Sequence, residues 1–251
     1  MAAMGRSIAE ALPQESPATY FLMAICFLLF MVSMAATVQL TGQFSIFGGI
    51  RGDVLYRLGG RVTPMIVYGE VWRLVMPIFL HGGLMHIGMN MFVLKDLGPQ
   101  LEELYGSARY LFLFLLTGIL GFVCTTIWDL MRHNYYGISI GASGSLMGLL
   151  GLAIAVTTVR GGAYMQMIRA QLIRSFLFIL VIGLIIPGID NAAHIGGFAS
   201  GFLLGRIFEP REPANAAERK RAYRLGWFAA LIIIASFAAT IYTFFTTAPP
   251  Q

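Results

Sequence analysis

Long apolar runs separated by short polar or glycine-rich stretches recur along this chain, and a helix needs about 20 such residues to cross about 30 Å of hydrocarbon. Candidate spans are Tyr20 to Leu40, Phe79 to Leu97, Tyr110 to Trp128, Ser143 to Val159, Leu172 to Pro187, Ile189 to Ile207, and Gly226 to Phe245. The pattern predicts seven helices, the fifth and sixth short and joined at Pro187-Gly188. Arg6 upstream and Ala35-Ala36 downstream give the first run some features of a signal peptide. Its apolar core exceeds the ~7–15 residues usual there, so a retained helix is expected. The connection from Thr41 to Leu80 has a different texture: Ile50-Arg51-Gly52-Asp53 and Val67-Tyr68-Gly69-Glu70-Val71-Trp72-Arg73 mix apolar and charged residues. It reads as a structured loop in the interface, with Tyr68 and Trp72 at headgroup depth.

Composition agrees with this pattern. Of 251 residues 57% are hydrophobic and 12% charged, with mean hydropathy +0.75; soluble domains carry about 25% charged residues. An all-α polytopic membrane protein is expected. The net charge of +5 would suggest nucleic acid in a soluble protein, but much of it is the cluster Arg219, Lys220, Arg221 and Arg224 beside a hydrophobic run. Anionic lipid and membrane topology account for such a cluster, so the expected partner is the bilayer and not nucleic acid. Seven crossings with a cytoplasmic N-terminus put Arg6, Lys95, Arg109, Arg160, Arg169, Arg174, Arg206, Arg211 and the cluster inside, and Arg51, Arg57, Arg61, Arg73 and Arg132 outside. Twelve against five favours that orientation. Cys26 and Cys124 both lie in apolar runs, against a disulfide framework or thiolate metal site.

In this arrangement the second, fourth and sixth helices run the same way. His81, His86 and Asn90 start the second, Ser143 the fourth and His194 the sixth, so these polar groups share one depth. Gly144, Gly148 and Gly151 share a face of the fourth helix, and Gly197, Gly201 and Gly205 recur every fourth residue on the sixth. Small residues at that spacing let membrane helices approach closely, which would bring the Ser143 hydroxyl to the His194 imidazole as an activated nucleophile requires. His86 and Asn90, one turn apart, could donate to an oxyanion together with the Ser143 amide and its helix dipole. The plain alternative is two packing seams, Ser143 as a helix N-cap, and His194 as a satisfied core histidine. Asp190 could orient His194 as a third member, but its place at the turn suits a helix cap, and a dyad is the preferred reading. His81, His86 and His194 could be imagined around zinc, but the His-Glu-x-x-His spacing is absent, and neither metal nor cofactor is expected.

The run His81-Gly82-Gly83-Leu84-Met85-His86-Ile87-Gly88-Met89-Asn90 resembles the second-helix motif of rhomboid intramembrane serine proteases. Trp72-Arg73 is similar to the Trp-Arg of their first loop, and Glu102 through Gly106 to their Glu-x-x-x-Gly. Gly141-Ala142-Ser143-Gly144 is similar to their nucleophile motif, and Ala193-His194-Ile195-Gly196-Gly197 with Gly201 to their histidine helix. The five motifs extend in order from about Gly48 to Gly205. The resemblance implies a six-helix catalytic core (20–208) after a cytoplasmic segment (1–19). A basic cytoplasmic linker (209–225) and an added seventh helix with a short tail (226–251) would follow. It implies Ser143 as nucleophile and His194 as general base and acid, with His86, Asn90 and Gly141 at the oxyanion and substrate site. His81, Trp72, Arg73, Glu102, Gly106, Gly197 and Gly201 would be structural. One departure stands out: the fourth residue after the nucleophile is often aromatic in the family, and here it is Met147.

The function expected is hydrolysis of peptide bonds in or beside transmembrane segments of other membrane proteins, through an acyl enzyme facing the extracytoplasmic side of a plasma or inner membrane. A catalytically silent scaffold that binds client helices is the main rival. A transporter is a poorer one, since the polar groups cluster near one face. Substrate identity and oligomeric state have no signature in the sequence.

Overall fold

The computed structural model describes residues 16–43, 49–135 and 137–246; Arg6 and Gly48 fall outside them. Among the described residues nine α-helices occur. They are α1 (Pro17–Thr41), α2 (Gly52–Arg57), α3 (Thr63–Val67), α4 (Leu84–Tyr105), α5 (Ser107–Arg132), α6 (Ser143–Arg160), α7 (Gly162–Ile185), α8 (Asn191–Ile207) and α9 (Ala216–Thr246), with 3-10 turns at Val71–Leu74 and Met76–Phe79. Helices α1, α5, α6, α7 and α9 are long and apolar enough to cross a membrane, so this is an all-α, multi-pass membrane protein. Helix α4 carries Lys95, Asp96, Glu102 and Glu103, and α8 has only 17 residues.

Several boundaries differ from those read in the sequence. The second long helix starts at Leu84, because Gly82-Gly83 interrupt the run that begins at Phe79; His81 therefore lies in the approach to the helix and not on it. Helix α7 begins at Gly162, ten residues before Leu172, and α9 begins at Ala216, so the basic cluster is the opening of that helix. Polar residues there fit a helix that continues beyond hydrocarbon, where hydropathy stops marking it.

Helix α6 is innermost, with residues 144–152 all buried. Helices α5, α6 and α8 pack through small residues: a methyl added at Gly197 would overlap the Gly144 carbonyl, one at Gly201 the Gly148 carbonyl, one at Gly148 the Thr117 side chain, and one at Gly196 Cys124. The two glycine seams therefore face each other. Without a hydrophobic drive between helices in lipid, such close van der Waals packing is what holds them. Helix α7 is the opposite case, burying only Phe176, which stacks on Phe198 of α8 at 3.7 Å between centroids.

Helix α1 packs on α4, where a methyl at Gly98 would meet Thr19 at 2.8 Å. Glu102, buried, accepts from Ala18 N (2.9 Å), Thr19 N (2.8 Å), Thr19 Oγ1 (2.8 Å) and Ser107 Oγ (2.6 Å). It thus caps α1 from another helix, satisfying amides that a helix N-terminus leaves without intrahelical partners. Gly106, at φ +73°, makes the turn from α4 to α5.

In the connection between α1 and α4, residues 49–80 are structured, as the texture of that segment suggested. Arg73 donates to the carbonyls of Tyr56 (2.7 Å) and Gly60 (2.9 Å), pairs with Glu70, and lies 4.6 Å from the ring centroids of both Trp72 and Tyr56. Trp72-Arg73 therefore closes the C-terminal end of α2, where carbonyls favour a cation. Two of the charges in this structured loop are buried: Arg73 at 3% exposure and Arg61 at 1%. Arg61 reaches Asp129 of α5 at 2.7 Å and Thr63, and its backbone exchanges two hydrogen bonds with Ser139.

Candidate active site

Helices α4, α6 and α8 bring their N-terminal ends together. Gly141, at φ +117°, bends the chain into α6, and its N–H donates to the Pro77 carbonyl at 2.8 Å. Ser143 follows as the first residue of α6, where the helix dipole favours developing negative charge. On α8, His194 is 4% exposed, and its Nε2 lies 2.9 Å from Ser143 Oγ. That is the distance at which a base takes a hydroxyl proton directly. The seam just below explains it, since Gly197 sits one turn beyond His194 and meets the residue next to Ser143.

Asp190 does not complete a triad. Its Oδ1 accepts from Ala193 N (2.9 Å) and its Oδ2 from Thr125 Oγ1 (2.8 Å) and Ser139 Oγ. Among the described residues His194 Nδ1 has no hydrogen-bond partner. The pair is a dyad, and Asp190 is the cap its position suggested.

His86 stands over Gly141, where an added Cβ would lie 2.6 Å from its Nε2. Its Nδ1 accepts from Gly82 N at 3.3 Å, so in the neutral ring the proton resides on Nε2, the nitrogen facing Gly141. A donor is therefore aimed two residues ahead of the nucleophile. Asn90 is buried and gives one amide N–H to the His86 carbonyl at 2.8 Å, leaving the second free to donate. His81 is fully buried, with Nδ1 3.3 Å from the Phe79 carbonyl and its ring set edge-on to His86 at 5.1 Å. Met147 is buried along α6. Cys26 and Cys124 are free thiols.

Residues 68–211 match the rhomboid domain. The chain belongs to the rhomboid family. It is 39% identical over 158 residues to RHOMBOID-like protein 1 of Arabidopsis thaliana, covering 61% of this chain and 39% of the relative. It is 34% identical over 184 residues to the mitochondrial RHOMBOID-like protein 6 of the same plant, covering 72% and 58%. It is also 30% identical over 184 residues to Rhomboid protease GluP of Bacillus subtilis (strain 168), covering 73% and 33%. The chain thus spans 33% to 58% of the length of these relatives.

Sequence reasoning passed over one cluster in this rhomboid. Arg61, Thr63, Thr126 and Asp129 form a buried ionic group beside the approach to Ser143. Asp129, the one acid between Ser107 and Leu130 in an apolar helix, was the available signal, because a charge there is costly unless paired.

Proposed function

We propose that this protein is an intramembrane serine endopeptidase that hydrolyses peptide bonds in or next to transmembrane segments of other membrane proteins. The hydrogen bond between Ser143 Oγ and His194 Nε2, held by two glycine seams, is the observation that carries this reading. His194 accepts the Ser143 proton as the hydroxyl attacks the substrate carbonyl, then returns it to the leaving amine. Negative charge on the carbonyl oxygen is received by His86 Nε2–H, the Ser143 amide and the free N–H of Asn90, with Gly141 leaving room beside His86. Water then hydrolyses the acyl enzyme. A helical substrate has to unwind locally to offer its carbonyl, which favours glycine-containing or otherwise weak helices.

The fold divides on this reading into a cytoplasmic segment (1–19), a six-helix core (20–208), a basic segment (209–225) whose second half opens α9, and the rest of that seventh helix with its tail (226–251). The charge distribution supports a cytoplasmic N-terminus and a dyad opening to the extracytoplasmic side of a plasma or inner membrane. His81, Trp72, Arg73, Glu102, Gly106, Gly197 and Gly201 hold the frame.

The test is cleavage of a reporter transmembrane substrate by purified protein in liposomes, comparing wild type with Ser143→Ala and His194→Ala. Product from wild type alone is expected. Equal cleavage by both variants removes the dyad assignment, and no cleavage by any of them across several substrates favours a client-binding scaffold.

A further inference from the structure

Asp190 joins the two halves of the dyad without touching either reacting atom. On one side it closes the first turn of α8: Oδ1 accepts from Ala193 N at 2.9 Å, and its carbonyl accepts from His194 N at 3.1 Å. On the other side Oδ2 accepts from Ser139 Oγ, four residues before Ser143, and from Thr125 Oγ1 of α5 at 2.8 Å. Ser139 is itself held from behind, because its backbone exchanges hydrogen bonds of 3.1 and 3.0 Å with Arg61, whose guanidinium is pinned by Asp129. One carboxylate therefore ties the approach to the nucleophile, the start of the histidine helix and α5.

The glycine seam sets the approach of α6 and α8 one turn below the dyad, but at the level of Asp190 packing is looser. A cavity of about 750 Å³ lies against this junction, lined by Thr125, Trp128, Ser139, Leu184, Asp190 and Ile195 among others. Beside Ser139 and the α8 N-terminus the side chains leave this space open, so there the polar bonds at Asp190 add to the seam in fixing their separation. We propose that Asp190 is a positioning residue, which holds Ser143 Oγ and His194 Nε2 at reacting distance by joining Ser139 to the first turn of α8. The proposal rests on the serine-protease reading for its kinetic consequence.

Asparagine at 190 would keep an acceptor for the Ala193 amide and could donate to the Ser139 and Thr125 hydroxyl oxygens, whereas alanine would lose every side-chain bond and keep only the carbonyl's bond from His194 N. A displacement of about 1 Å costs on the order of 10²-fold in rate. Asp190→Ala is therefore expected to lower kcat by about 10–100-fold per folded molecule, with KM nearly unchanged. Asp190→Asn should retain about a third or more of wild-type kcat. The double variant Ser139→Ala/Thr125→Ala, which leaves the α8 cap intact, should lose kcat in the same direction and serves if Asp190→Ala does not fold.

Wild-type kcat in Asp190→Ala or in the double variant overturns the proposal, as does Asp190→Asn losing as much as Asp190→Ala, which would mean that charge and not geometry matters. Failure of wild type to cleave or to react at Ser143 with a fluorophosphonate would overturn the protease reading instead. Positioning is then read from the ¹⁵N shifts of the His194 imidazole. A moved Nε2 resonance in Asp190→Ala, or in the double variant if that protein does not fold, supports the proposal, and an unchanged one overturns it.

Discussion

Glu102 shows how one side chain in this protein substitutes for a local sequence signal. Helix α1 has no side-chain cap of its own at Ser16, and its first amides are taken by a carboxylate 83 and 84 residues away. Glu102→Gln keeps one acceptor and loses the charge, and hydrogen bonds to charged groups contribute about 1.5–3 kcal/mol each. A lower Tm in detergent is expected, with Ser143 still reactive toward a fluorophosphonate; an unchanged Tm would show that the cap contributes nothing. Arg61 and Asp129 make a second case. Removing one partner of a buried pair costs about 3–5 kcal/mol, because the survivor is left unpaired. Arg61→Ala and Asp129→Ala should each destabilise strongly, and the double variant by less than their sum. Strict additivity in that cycle would mean the pair is not coupled. At Gly197 and Gly201 a methyl would meet backbone carbonyls, which cannot rotate away. Overpacking of this kind costs about 1–3 kcal/mol. Gly197→Ala should also impair the dyad more than Gly205→Ala, whose neighbours are a side-chain methyl at 2.6 Å and the Leu152 backbone at 3.3 Å. Rates measured on folded protein decide this.

Among the helices, α9 has a definite place although the site lies elsewhere. Gly226 meets Ala108 of α5, Phe237 lies 6.1 Å from Phe79 between ring centroids, and Arg57 of α2 donates to the Phe244 carbonyl at 3.2 Å with its guanidinium over the Phe244 ring. The helix braces the structured connection between α1 and α4 against the bundle. Truncation after Glu212 is expected to speed proteolytic nicking within residues 49–80 severalfold and to lower Tm, because buried faces become exposed and a carbonyl loses its donor. Equal nicking rates with and without α9 would remove this role. The five helices long and apolar enough to cross a membrane announced themselves by hydropathy, but the starts of α7 and α9 did not, since both helices continue into polar sequence that carries no apolar signal.

The whole molecule has its polar machinery at the end where α4, α6 and α8 begin, and its basic cluster at the start of α9. The proposed orientation puts these on opposite sides of the membrane. In a background with Cys26→Ser and Cys124→Ser, Asn134→Cys should react with a membrane-impermeant maleimide in intact cells, and Lys220→Cys only after permeabilisation. The reverse pattern would invert the protein and place the dyad on the cytoplasmic side.

The sequence by itself determined the membrane class, the long helices and the identity of Ser143 and His194, because hydropathy, glycine spacing and motif residues are local properties of the chain. It also left Asp190 as a cap or a triad member, and Arg61 and Arg73 as loop charges. Only the tertiary structure decided these, since whether a carboxylate meets an imidazole, an amide or a hydroxyl depends on which helices touch and at what register. The close approach of Gly144 to Gly197 and the bonds joining Arg61 to Ser139 and Ser139 to Asp190 link residues 51 to 78 positions apart, and that pairing exists only once the helices have packed.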